Sequence, residues 1–168
     1  MFDKILVALD RSPLADAVFD RALDIAKAKS AELMLLHVLS GEEDGSPLPI
    51  PPGMERLHWS PGSELTLESW RQQWATFEGE CWEDLRSRTA RANTAGVVAQ
   101  FQQVAGSAGR TICEVARTWG ADAIVLGTRG RSGVLELLLG STSNYVVHRA
   151  PCTVLAVKSP SATPSLPK

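Results

Sequence analysis

At 168 residues the chain has room for one domain, and a chain of this length buries roughly 70% of the surface its unfolded form exposes. Apolar residues at 44% and charged ones at 21% match ordinary globular usage, while a net charge of −2 argues against duplex DNA as a partner. No apolar run approaches the roughly 18 residues of a membrane span, and three scattered cysteines (Cys81, Cys113, Cys152) make neither a disulfide framework nor a metal knuckle.

The start, Met1-Phe2-Asp3-Lys4, enters a strand-like run without the basic and small-residue flanks of a signal peptide. With the cysteine usage, this sets the expectation of a cytoplasmic protein. The charge is uneven: residues 1–109 carry ten Lys/Arg against sixteen Asp/Glu, whereas residues 110–168 carry seven against three. A locally basic final third suits a small anion, and uneven solvated charge accounts for it equally well.

Lys4-Ile5-Leu6-Val7-Ala8-Leu9 is a short apolar run without alternation, as expected of a strand buried on both faces. Asp10 follows; Ser12 is placed to cap a helix and Pro13 to occupy its first turn. Leu14, Val18, Ala22 and Ile25 continue that helix to about Ala28. Glu32 to Leu39 reads as a second strand. Residues 40–63, with five prolines and four glycines, read as a long irregular connection. A long helix follows with Leu67, Trp70, Trp74, Phe77, Cys81 and Leu85 on one stripe, fraying near Asn93–Gly96. Val97 to Val104 reads as a third strand, and Ile112, Val115, Ala116 and Trp119 mark a helix ended by Gly120. Ala123 to Leu126 is a fourth strand running into Gly127. A short helix begins near Ser141 and stops before Pro151, Thr153 to Val157 is a fifth strand, and 159–168 reads as a disordered tail.

Regular alternation of strands and helices predicts one α/β domain over 1–158, an open parallel sheet with helices on both faces. The spatial order 3-2-1-4-5 is expected, with 2-1-3-4-5 as its competitor. In the first, the ligand crevice lies at the carboxyl ends of strands 1 and 4. Asp10 and Gly127 fall on those ends.

The segment Gly127-Thr128-Arg129-Gly130-Arg131-Ser132-Gly133, followed by Gly140-Ser141-Thr142-Ser143, carries most of the functional information. It is neither a Walker loop nor a dinucleotide fingerprint. Glycines let successive N–H groups turn toward one anion, and Gly140-Ser141 opens a helix whose first N–H groups lack internal partners. The hydroxyls of Ser141, Thr142 and Ser143 and the charges of Arg129 and Arg131 add to a phosphate site. Ordinary turn chemistry explains the same glycines, so the residues alone leave both readings open.

The spacing Gly127, Gly130, Gly140, Ser141 matches G-x2-G-x9-G-[ST], and here the chain resembles the ATP-binding branch of the universal stress protein family. The opening strand with Asp10 and Ser12, the segment Leu36-His37-Val38, the segment Ala121 to Gly127 and the closing Ala150-Pro151-Cys152-Thr153-Val154-Leu155 resemble the same family. The likeness covers about 2–38 and 97–158; residues 40–96 match nothing specific. The resemblance implies an adenine-nucleotide fold binding ATP, with Mg²⁺ as a possible companion. By position, Asp10 would meet ribose or metal, Ala8 and Val38 would line the base pocket, and Leu126, Gly127, Arg129 and Gly130 would wrap ribose and phosphates. Gly140, Ser141, Thr142 and Ser143 would hold the terminal phosphates. Leu9 ahead of Asp10 departs from what family members often carry, which implies a base pocket of altered shape. The family also implies a homodimer through strand 5 (Val154, Leu155, Ala156, Val157), an uncharged edge, and a stress-linked sensor or regulator.

Other residues attract less. His37, His58 and His148 have no metal-ligand spacing, and His37, in a buried strand, reads as a packed or capping group. Trp59, Trp70, Trp74 and Trp82 could stack on bases, but a helical stripe more often means core or a protein interface. No Ser–His–Asp order and no general base beside the glycine loop stand out, so at most slow hydrolysis or self-phosphorylation is expected. A nucleotide-free interaction module and a genuine ATPase or kinase are the rivals.

Overall fold

The computed structural model describes residues 2–43, 45–47, 63–128 and 139–158, with the side chains of 63–66 left aside. Five strands are seen: β1 (Lys4–Leu9), β2 (Glu32–Leu39), β3 (Ala99–Ala105), β4 (Ala123–Gly127) and β5 (Thr153–Val157). They form one parallel sheet in the order β3-β2-β1-β4-β5, as expected. Four helices connect them: α1 (Ala15–Lys29), α2 (Ser63–Thr94), α3 (Ala108–Trp119) and α4 (Ser141–Arg149).

Both faces of the central strands are covered, and the period-2 alternation of side chains divides the core accordingly. Ile5, Val7, Leu9, Leu33 and Leu35 meet Val18, Phe19, Ala22 and Ala26 of α1 and Leu85 and Ala92 of α2. On the other face Leu6, Met34, Leu36, Val38, Ile124 and Leu126 meet Ile112, Cys113 and Ala116 of α3 and Val146 of α4. Phe19 is fully buried, and burying such a ring is worth about 2–3 kcal/mol. Outside that ring Arg88 and Arg91 lie over its face, at 5.7 and 4.6 Å from the centroid. Arg88 also bonds Asp84 of its own helix and Asp16 of α1, each at 2.8 Å, while Arg91 pairs with Asp20. Helix α2 is thus tied to α1 by charge as well as by packing.

Three local expectations are corrected. Ser12 does not cap α1: its N–H and hydroxyl both turn back to the Asp10 carboxylate, at 3.1 and 2.5 Å, and the helix starts at Ala15 behind Leu14. The third strand begins at Ala99 rather than Val97: the Val97 N–H still closes on Ala92 O of α2, and Asn93 at the end of that helix binds both backbone groups of Ala99. Helix α2 begins at Ser63, the last residue assigned to the irregular connection. Its stripe is buried at Phe77, Cys81 and Leu85 but only partly at Trp70 and Trp74, which stack on each other at 5.9 Å. Trp82 sits beside the stripe, 46% exposed, edge-on to Phe101 of β3.

Candidate functional site

Parallel pairing of β1 with β4, with Ala8 opposite Leu126, makes the chain leave both strands side by side at one end of the sheet. Asp10 emerges from β1 there, and Gly127 and Thr128 from β4. From Thr128 the strand end is tied twice: its N–H donates to Val157 O at 3.0 Å, and its carbonyl accepts the Gly140 N–H at 2.9 Å. That second bond brings the start of α4 to the end of β4. Nine residues long, α4 has no side-chain cap at its N-terminus, and no acid in its first turn. Its orphan N–H groups and dipole favour an anion.

The sequence-predicted residues are distributed around this end as follows. Ala8, Val38 and Leu126 pack on the α3/α4 side of the sheet, Val38 and Leu126 being buried. Gly127 keeps an ordinary backbone conformation, and its value is closeness: an added Cβ would sit 3.0 Å from Leu14 Cδ2. Gly140 likewise has φ −59°, a value open to any residue, so it does not supply the positive dihedral expected of it. Ser141 is exposed and Thr142 half-buried. Ser143 is buried and spends its single hydroxyl hydrogen on Gly127 O at 2.6 Å, a tie between α4 and β4. Arg129 and Gly130, with Arg131, Ser132 and Gly133, lie outside the described residues, as do His58, Trp59 and the 159–168 tail.

Asp10 Oδ1 accepts both bonds from Ser12, leaving Oδ2 without a hydrogen bond among the described residues. One spare carboxylate oxygen at this end of the sheet fits Mg²⁺, which takes one or two carboxylates and completes its shell with water and phosphate. Among the described residues no group of three His, Cys, Asp or Glu side chains forms a metal cage.

On the α1/α2 side the same end holds a cavity of about 210 Å³, whose walls include Asp10, Arg11, Ser12, His37, Glu80 and Cys81. His37 is 3% exposed, its Nε2 lying 2.9 and 2.8 Å from the two oxygens of Glu43. Burial works against charge on this ring, but the hydrogen bonds to Cys81 and Glu43, with the Glu43 charge, override it and raise its pKa from 6.5 to about 9. Glu43 is the residue that sequence reasoning missed. It stands in a polar connection, and only the i+6 spacing from His37 could have singled it out.

A family model described as "Universal stress protein family" matches residues 1–158. A universal stress protein of Synechocystis is 35% identical over 157 residues, covering 94% of this chain and 98% of the relative. A second from the same organism is 44% identical over 107 residues, 64% of this chain and 99% of the relative. Among solved structures, the universal stress protein UspA from Lactobacillus plantarum superposes with a TM-score of 0.68 at 25% identity, covering 93% and 97% of the two chains. The fold is shared, at lower identity, by a universal stress protein in complex with cAMP (TM-score 0.63, 23%, covering 94% and 97%). It is shared too by one from Archaeoglobus fulgidus in complex with dAMP (TM-score 0.59, 19%, covering 94% and 98%).

Proposed function

Since the chain belongs to the universal stress protein family, we propose that it binds ATP or another adenine nucleotide where β1, β4 and the start of α4 meet. The observation that carries this reading is the uncapped N-terminus of α4, hung from the end of β4 by the Gly140–Thr128 bond, at the same end of the sheet where Asp10 leaves the neighbouring strand β1. Nucleotide complexes of two proteins with this fold, one with cAMP and one with dAMP, point to the same ligand class.

In this reading Ala8, Val38 and Leu126 back the base and ribose, and Asp10 meets ribose or Mg²⁺. Gly127, Arg129, Gly130, Gly140, Ser141 and Thr142 surround the phosphates, with Ser143 holding α4 in place. Bound Mg²⁺ would neutralise phosphate charge. The domain acts as a cytoplasmic stress-response sensor or regulator with at most slow hydrolysis, and pairs as a homodimer through β5. Across the described residues no helix is long and apolar enough to cross a membrane.

Two substitutions test the site. Gly140→Asp places a good N-cap where phosphate would lie, so α4 should hold or gain stability, by about a few tenths of a kcal/mol, while ATP affinity falls at least about tenfold. Asp10→Asn keeps an acceptor for Ser12 but removes the charge, and should flatten the Mg²⁺ dependence of binding. Titration calorimetry with and without Mg²⁺, beside mass spectrometry of small molecules released from the denatured protein, reads both. Unchanged ATP affinity in Gly140→Asp would sink the phosphate assignment.

A further inference from the structure

Glu43 is a nearly inaccessible carboxylate, its side chain 8% exposed against 4% for its partner His37. Both oxygens face the His37 Nε2, and Oε1 also accepts the backbone N–H of Arg11 at 2.9 Å. One side chain from the connection after β2 therefore grips the end of β2 and the loop after β1. A charged acceptor makes the stronger kind of hydrogen bond, and burial of the His37 pair shields that contact from competing water, while the Arg11 bond stands at the exposed rim.

The grip acts on one peptide unit. The N–H of Arg11 belongs to the plane that also contains the Asp10 carbonyl, so holding it fixes how the chain turns as it leaves Asp10. On the far side, the Asp10 carboxylate is held by Ser12, whose N–H and hydroxyl share Oδ1. The Arg11 side chain extends the brace to α2: its guanidinium bonds Glu80 at 2.5 Å and lies 5.5 Å over the Phe77 ring. Among the described residues, Glu43 is not one of those lining the cavity beside Asp10.

We propose that Glu43, seated on His37, is a positioning residue that presets the Asp10 loop for the nucleotide and its metal; the functional half of this rests on the nucleotide reading above. A ligand meeting a preset loop avoids the ordering entropy that a loose one exacts. Substitutions of Glu43 should therefore weaken binding without touching a ligand contact.

Amide hydrogen exchange of the full ligand-free chain, with ATP–Mg²⁺ titration calorimetry, tests this. In Glu43→Ala the Arg11 amide should exchange on the order of tenfold faster or more, with the amides of β1 and β4 unchanged as the internal sign that the fold persists. ATP should bind on the order of tenfold more weakly. Glu43→Gln retains an oxygen for the Arg11 N–H and should fall between the two in both readouts; it carries the test alone if the alanine variant fails to fold. Arg11 exchange that stays at the wild-type rate overturns the proposal. So does unchanged ATP affinity alongside lost protection, which would reduce Glu43 to a structural tie. A wild-type protein that takes up no adenine nucleotide overturns the nucleotide reading and the functional half with it, while faster Arg11 exchange in the variants would still establish the grip on the loop.

Discussion

Burial ordinarily strips a histidine of its charge, and His37 runs the other way. The groups facing it are Glu43 beyond β2, Cys81 and Phe77 on α2, and Gln103 on β3, with Arg11 reached through Glu43. A folded-state pKa near 9 against 6.5 means that folding binds the protonated ring more tightly than the unfolded chain does. That stabilisation is complete below pH 6.5, shrinks between 6.5 and about 9, and is gone above it; its full size is on the order of 3 kcal/mol. The melting temperature should accordingly fall between pH 7 and 9.5, and His37→Gln should lose most of that slope. A chemical shift titration of the His37 ring places the midpoint directly. At the other end of the sheet Asp122 is held below the usual carboxylate range by the Asp3 and Lys4 N–H groups, both 2.9 Å from its Oδ2.

Helix α1 ends on Ser30 at φ 55°, the one non-glycine residue in a left-handed conformation among those described. Its backbone N–H still closes on Ala26 O, as a helix cap requires, but its Cβ meets a steric penalty that glycine would not. Ser30 is exposed and holds no side-chain partner among the described residues, so Ser30→Gly should stabilise by about 0.5–1 kcal/mol, seen as a rise of roughly 2–3 °C in melting temperature. Elements of this kind show what a sequence conveys. The buried strands were legible because both faces are covered and Ile5-Leu6-Val7 needs no alternation; α3 was legible down to its stop at Gly120, which does take up φ 74°. Helix α1 was misread at its start because Ser12 and Asp10 satisfy each other, a local bond that competes with capping. Gly127 and Gly140 looked like dihedral devices, yet one permits close packing against Leu14 and the other is an ordinary cap. Periodicity registers which face is apolar; it does not register that a polar His37 on the apolar face has its partner six residues on.

At the scale of the whole molecule, β5 closes the sheet and pairs with β4 alone among the described strands. Leu155 and Val157 pack toward the α1/α2 face and Val154 toward the other, whereas Ala156 is exposed. Proline at Leu155 would damage that packing as well as the edge, so Ala156→Lys is the cleaner probe of the dimer proposed through this strand. A charge on an open edge discourages pairing, and multi-angle light scattering should show the mass dropping from dimer toward monomer with the fold retained. A wild-type protein of monomeric mass at high concentration would remove the dimer. The strand order has another side, apparent while the chain is being made. Strand β1 lies between β2 and β4, and the residues that face it from β4 begin only at Ala123. A ribosome that has released β1, α1 and β2 has thus delivered a sheet whose most apolar strand is bare along one edge for more than eighty further codons. Such an edge recruits other chains, so nascent chains stalled ahead of Ala123 should need chaperones and should be cleared by proteases faster than the finished domain, which a comparison of chains truncated before and after β4 would check.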